Sequence, residues 1–213
     1  MKSFKMRART LDRKHWYEFT IADIPMHFTP EEFLIFSKPG SPRLLLDTIV
    51  RGADMYNLFE GDIVLDGNEE YLICYERGFY AISHNYVIKH LDQLHDPIVI
   101  GSCDTMSFPV SIMEKKRHLF KYKDTIFRMQ DIVYGEDGKL VISSIPRLID
   151  PQDIQQECCM SYNKKKLFLG DCYKDSPVFL YKGRICANTP QGTIDCATGG
   201  IINGRTTQDT VGC

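Results

Sequence analysis

No stretch of this 213-residue chain reaches the roughly 18 consecutive apolar residues that a membrane-spanning helix needs. The opening Met1-Lys2-Ser3-Phe4-Lys5-Met6-Arg7 passes into alternating polar sequence where a signal peptide would carry an apolar core, so a cytoplasmic protein is expected. Charge of one sign is lacking too. With 26 Lys and Arg against 28 Asp and Glu, the net charge of −2 sets up no global field toward nucleic acid or anionic lipid, and it disfavours acidic mimicry of nucleic acid. Any nucleic-acid contact has to come from a local patch.

Motifs that dictate a reaction are missing as well. There is no G-x-S-x-G elbow, no Walker A loop, no dinucleotide-binding glycine pattern and no H-E-x-x-H. His15, His27, His84, His90, His95 and His118 never fall four apart on a convincing helix. Asp62, Asp66, Glu69 and Glu70 cluster in sequence, but beside Asp66-Gly67-Asn68 they read as turn residues and solvated charges. The expectation is a protein that is not an enzyme, with no cofactor and no metal. Eight cysteines are present without a C-x-x-C pair. Cys158 and Cys159 are adjacent and the others lie ten or more residues from their neighbours, which favours free buried thiols over a zinc site.

What the chain does have is short β-forming runs punctuated by Gly and Asp. Asn57-Leu58-Phe59-Glu60-Gly61-Asp62-Ile63-Val64, then Glu70 to Tyr75, then Gly78 to Ile82, predict a small antiparallel meander. Residues 3–9 alternate, with Phe4, Met6 and Ala8 on one face and Lys5, Arg7 and Arg9 on the other, which predicts a half-buried strand with its basic face exposed. His15 to Phe19 returns as its hairpin partner, and Trp16, the single tryptophan, is expected as a core anchor. Thr29-Pro30-Glu31-Glu32 carries helix-start signals and predicts a short helix over 30–37, stopped by Pro39-Gly40. Tyr86-Val87-Ile88 predicts a strand, Leu91 to Leu94 a helical turn, and Ile98-Val99-Ile100 a closing strand.

These landmarks carry a resemblance. Lys5-Met6-Arg7-Ala8-Arg9, the returning Trp16-Tyr17, Thr48 twelve residues before Glu60-Gly61-Asp62-Ile63-Val64, and the later Ile98-Val99-Ile100-Gly101 resemble YopX-like phage and prophage proteins in order and spacing. The chain departs from that pattern at Ile49, at Asp54-Met55 and at Ser102-Cys103-Asp104. The resemblance covers about residues 1–105 and implies an SH3-type β-barrel with the helix as an insertion, encoded by a bacteriophage or prophage and located in the host bacterial cytoplasm. It brings no catalytic residues.

The second half repeats the theme. Gln130-Asp131-Ile132-Val133, a turn at 135–138 and Leu140-Val141-Ile142 echo the first meander, as do Leu167-Phe168-Leu169-Gly170-Asp171 and Asp124-Thr125-Ile126-Phe127. The expectation is mainly β: an SH3-like barrel over 1–105, a boundary at Ser102 to Pro109, and a second β-rich domain over 110–213. In that domain Asp150-Pro151-Gln152-Asp153 caps a short helix running to about Met160. From Asn188 onward the Gly-, Thr- and Asn-rich tail is expected to be flexible.

Three functional readings follow. The first is a phage accessory protein that binds a host protein or complex and inhibits a bacterial defence system, through the Lys5, Arg7 and Arg9 face or the tail. The second is nucleic-acid binding by basic residues interleaved with aromatics: Lys5, Arg7, Arg9, Arg13 and Lys14 beside Trp16, with Lys115, Lys116 and Arg117 beside Phe120 and Tyr122. The third is sequestration of a nucleotide signal by Gly199, Gly200, Asn203 and Arg205, whose turns would offer backbone amides to an anion.

Overall fold

The computed structural model describes residues 4–20, 26–28, 33–36, 42–103, 118–128, 131–134, 140–142 and 150–204. It is mainly β, in small antiparallel sheets. Among the described residues the helical pieces are single 3₁₀ turns at Leu46–Thr48, Leu91–Gln93 and Pro151–Asp153. The chain falls into two compact units, each made of separated stretches: Lys2–Arg51 with Glu114–Gln156, and Gly52–Met113 with Glu157–Cys213 and Met1.

In the unit of 2–51 and 114–156, β1 (Met6–Arg9) pairs with β2 (Trp16–Phe19) in the expected hairpin, Met6 opposite Phe19 and Arg9 opposite Trp16. Strands β3 (Met26–Phe28), β4 (Phe33–Phe36) and β5 (Arg43–Leu45) form a second sheet in chain order. The helix expected over 30–37 is therefore not formed where it is described. Phe33-Leu34-Ile35-Phe36 is a run of bulky β-formers, and its backbone pairs on both sides, with β3 and with β5. The short β6 (Val50–Arg51) returns to β1.

The next five strands belong to the unit of 52–113 and 157–213. β7 (Asp62–Asp66), β8 (Glu69–Tyr75) and β9 (Phe79–Ser83) are the predicted meander, flanked by edge strands β10 (Ile88–His90) and β11 (Ile98–Ser102) in the order β10-β9-β8-β7-β11. Ile63, Leu72, Cys74 and Ile82 form a buried cluster within the sheet.

The chain then re-enters the first unit with β12 (Leu119–Tyr122), β13 (Thr125–Arg128), β14 (Ile132–Tyr134) and β15 (Leu140–Ile142), which form two hairpins. One core joins distant parts of the sequence: Met6, Ala8, Phe19, Leu44 and Ile49 pack with Phe120, Phe127, Ile142 and Ile154. Phe4 N–H also donates to Gln156 Oε1 across 152 positions, at 2.9 Å. Burial of the apolar face of β1 against residues near 120 and 154 is why this division differs from consecutive domains at 1–105 and 110–213.

β16 (Gln155–Tyr162) replaces the helix expected up to Met160. Ile154 and Cys158 fit a helical spacing, but Gln155 and Gln156 pair with β12, and Glu157 to Tyr162 pair with β17 (Lys165–Phe168) around a bulge at Cys158 and Cys159. A run with ladder partners on both sides keeps its hydrogen bonds only as a strand. β18 (Cys172–Tyr173), β19 (Ser176–Tyr181), β20 (Arg184–Thr189), β21 (Gly192–Asp195) and β22 (Ile201–Gly204) follow as a five-stranded meander in chain order. The tail expected to be flexible is thus sheet from Asn188 to Gly204. Its Gly- and Thr-rich stretches are the turns, and Ile185, Ala187, Ile194 and Cys196 supply buried apolar contacts.

The echo between the two halves has a structural counterpart. Phe59 N–H donates to Asp62 Oδ2 at 2.8 Å while Asp62 N–H returns to Phe59 O at 3.0 Å. Phe168 and Asp171 make the same pair of bonds, at 3.0 and 2.9 Å. Gly61 (φ 87°) and Gly170 (φ 90°) occupy the position where a type II turn needs φ near +80°. A third aspartate, Asp131, accepts from Arg128 N–H at 2.7 Å.

Candidate functional site

The basic face of β1 is buried rather than exposed. Arg7 is 8% and Arg9 6% exposed, and their guanidinium carbons lie 4.1 and 4.0 Å from the Trp16 ring centroid. Strand alternation sends Met6 and Ala8 into the core and the two arginines to the other face, where the cross-strand Trp16 covers them by cation–π contact. Trp16 is half-buried and carries two cations, so it is a lid on the arginines and not a core anchor. Of the flanking residues, Lys5 pairs with Glu18, Arg13 lies 3.7 Å from Asp47, and Lys14 is exposed. Lys115, Lys116 and Arg117 lie outside the described residues. His118, next to them, bonds through Nε2 to Ile49 O at 3.0 Å, and burial, with Arg51 nearby, pushes its pKa down to about 3.

The glycine turns are closed on themselves. Gly199 N–H donates to Asp195 O at 2.7 Å and Gly200 N–H to Thr198 Oγ1 at 3.2 Å, so the two amides meant for an anion already have acceptors. Asn203 Nδ2 donates to Tyr181 Oη at 3.0 Å, and Arg205 lies outside the described residues.

The carboxylates behave as turn and loop residues. Asp62 closes its turn, and Asp66 Oδ1 accepts from the amides of His95 and Asp96 at 2.9 and 3.3 Å. Burial acts to raise the Asp66 carboxyl, but those amides and Lys89, 3.6 Å away, outweigh it and hold it below the usual range. Lys89 also lies over the Tyr71 ring, and Tyr71 Oη donates to Glu69. Among the described residues no group of His, Cys, Asp and Glu could hold a metal ion. Cys172 is disulfide-bonded, whereas Cys74, Cys103, Cys158, Cys159, Cys186 and Cys196 stand outside any disulfide.

Two surfaces remain. The first is β11, an edge strand among the described residues, where Ile98, Val99 and Ile100 are 60%, 46% and 39% exposed. The second is no single surface but a local device that recurs in both units and went unrecognised in the sequence, although its signal is a repeated dipeptide. Hairpins β12–β13, β18–β19 and β19–β20 each place a tyrosine at the last paired position with a lysine at the turn: Tyr122-Lys123, Tyr173-Lys174 and Tyr181-Lys182. The lysine ammonium lies 5.3, 5.5 and 5.5 Å from the ring centroid. Tyr162-Asn163-Lys164 ends β16 in the same way. No helix among the described residues is long and apolar enough to cross a membrane. No family model, curated protein or solved structure matches the chain.

Proposed function

We propose that this is a phage or prophage accessory protein, not an enzyme, that acts in the host bacterial cytoplasm by binding a host protein, with inhibition of a defence system as its sharper form. The observation that carries the reading is the apolar edge at Ile98, Val99 and Ile100, three consecutive large side chains left in solvent on one edge of the five-stranded sheet, whose opposite edge also exposes Val87 and Ile88. Contiguous exposed apolar surface of this kind marks protein contacts. Pro97 before the strand and the bulge between Val99 and Gly101 discourage strand addition, so the contact is made through side chains. The phage origin rests on the YopX-like landmarks, from Lys5-Met6-Arg7-Ala8-Arg9 to Ile98-Val99-Ile100-Gly101.

Affinity capture from nuclease-treated bacterial lysate tests the reading, with the native chain beside an Ile98→Ser/Ile100→Ser variant. A discrete protein retained by the first and lost by the second supports it. Equal retention by both contradicts it. The finer fold reading, an SH3-type barrel, is tested on a fragment of residues 1–105. Cooperative melting supports the barrel, and its absence assigns the fold to the discontinuous units.

A further inference from the structure

Two hairpin tips that are separate in sequence meet in the unit of 52–113 and 157–213. The rings of Tyr162, at the end of β16, and Tyr173, at the end of β18, have centroids 4.5 Å apart with their planes at 46°. Each ring opens a two-residue turn whose residues both have positive φ: Asn163 and Lys164 at 50° and 63°, Lys174 and Asp175 at 49° and 64°. Such turns match the strand twist and hold their side chains at a fixed place at the tip. Three exposed lysines flank the ring pair: Lys174 over the Tyr173 ring, Lys165 opposite Tyr162 in the ladder, and Lys164 in the turn between them.

These cations are not consumed by neighbours. Lys166 is bound to Glu157 at 2.7 Å, but Lys164, Lys165 and Lys174 form no ion pair among the described residues, and the Lys174 ammonium lies 5.5 Å from the Tyr173 ring centroid. Desolvated arginines under Trp16 are already engaged; a hydrated lysine over an exposed hairpin's tyrosine can be displaced. A base stacks on an aromatic face whatever its identity, and flanking ammonium groups meet successive phosphates. Duplex DNA hides its base faces, so the platform fits an unpaired strand.

We infer that the Tyr162–Tyr173 platform, with Lys164, Lys165 and Lys174, is a binding site for single-stranded nucleic acid without sequence preference. It lies on residues other than the apolar edge at 98–100, so either proposal can fail alone.

The test is fluorescence anisotropy of the full chain with a labelled oligothymidylate, its duplex form and a heparin competitor, across a salt series. Lys164→Asn/Lys165→Gln/Lys174→Asn removes the three charges while keeping residues that tolerate the positive-φ positions, and unchanged melting confirms that the fold is intact. The expected result is salt-sensitive binding of the single strand over the duplex. The triple variant binds at least tenfold more weakly, and its log–log salt slope falls by about 2, at roughly 0.7 per phosphate for a single strand. Tyr173→Leu weakens binding about fivefold or more with the salt slope kept, as loss of stacking requires. Equal affinity of the triple variant, no binding at low salt, or a Tyr173→Leu variant that binds like the parent overturns the proposal. Equal binding of duplex, or heparin binding that also survives Tyr173→Leu, assigns the patch to polyanions at large and overturns it too.

Discussion

The turns Phe59–Asp62 and Phe168–Asp171 have the same hydrogen bonds and the same glycine conformation, yet they open very different strands. Asp62 is 1% exposed and begins the five-residue β7, which pairs with β8 and β11 on its two sides. Asp171 is half-buried and immediately precedes β18, a two-residue edge strand. Local sequence sets the turn, and the surroundings set how much stability depends on it.

The largest effect expected from this contrast is on Asp62. Asp62→Ala removes a charge-assisted bond at a site closed to water, which lowers stability by about 2–3 kcal/mol, whereas the half-buried site of Asp171 lets water replace the lost acceptor, so Asp171→Ala costs about 0.5–1.5 kcal/mol. Denaturant midpoints with unchanged slope measure both, and equal losses would break the comparison. Gly61→Ala and Gly170→Ala sharpen it from the other side. Both place a Cβ at φ near +90°, so each costs about 1–2 kcal/mol, and the two losses match because the strain is local.

Acid provides a contrast with the other unit, where His118 is held neutral. Its folded pKa is near 3 against 6.5 for the free side chain, so the unfolded chain binds more protons between those values. Stability is therefore lost as pH falls from about 6.5 toward 3. His118→Gln, which can still donate to Ile49 O, is expected to flatten that slope in a series of melting curves, and an unchanged slope would place the acid sensitivity elsewhere. The smallest effect is chemical. Burial, then the neighbouring Asp195 carboxylate, pushes the Cys186 and Cys196 thiols up to about 12, so iodoacetamide at pH 8 labels Cys103 and Cys159 ahead of them in the folded chain.

The β1–β2 hairpin and the meander from Asp62 to Ser83 were legible in the sequence because period-two alternation and Gly-Asp turns are local signals. So was the repetition of the Phe-x-Gly-Asp turn. Phe33 to Phe36 and Gln155 to Met160 were misread because capping signals and a single i, i+4 match say nothing about ladder partners far along the chain. The basic face of β1 was misread for a related reason: alternation gives the side of a strand a residue lies on, but not whether a tryptophan across the hairpin covers it. The tail shows the limit of composition, since Gly and Thr between short apolar pairs serve tight hairpins as well as disorder. Of the candidate sites, the apolar edge was visible only as a strand, because a run of β-formers does not say whether anything covers its faces.

The most direct measurement is hydrogen–deuterium exchange of the native chain, alone and with its captured host protein. Slowed exchange concentrated over Ile98–Ser102 is expected in the complex. Protection confined to other strands, with residues 98–102 exchanging as in the free chain, would contradict it.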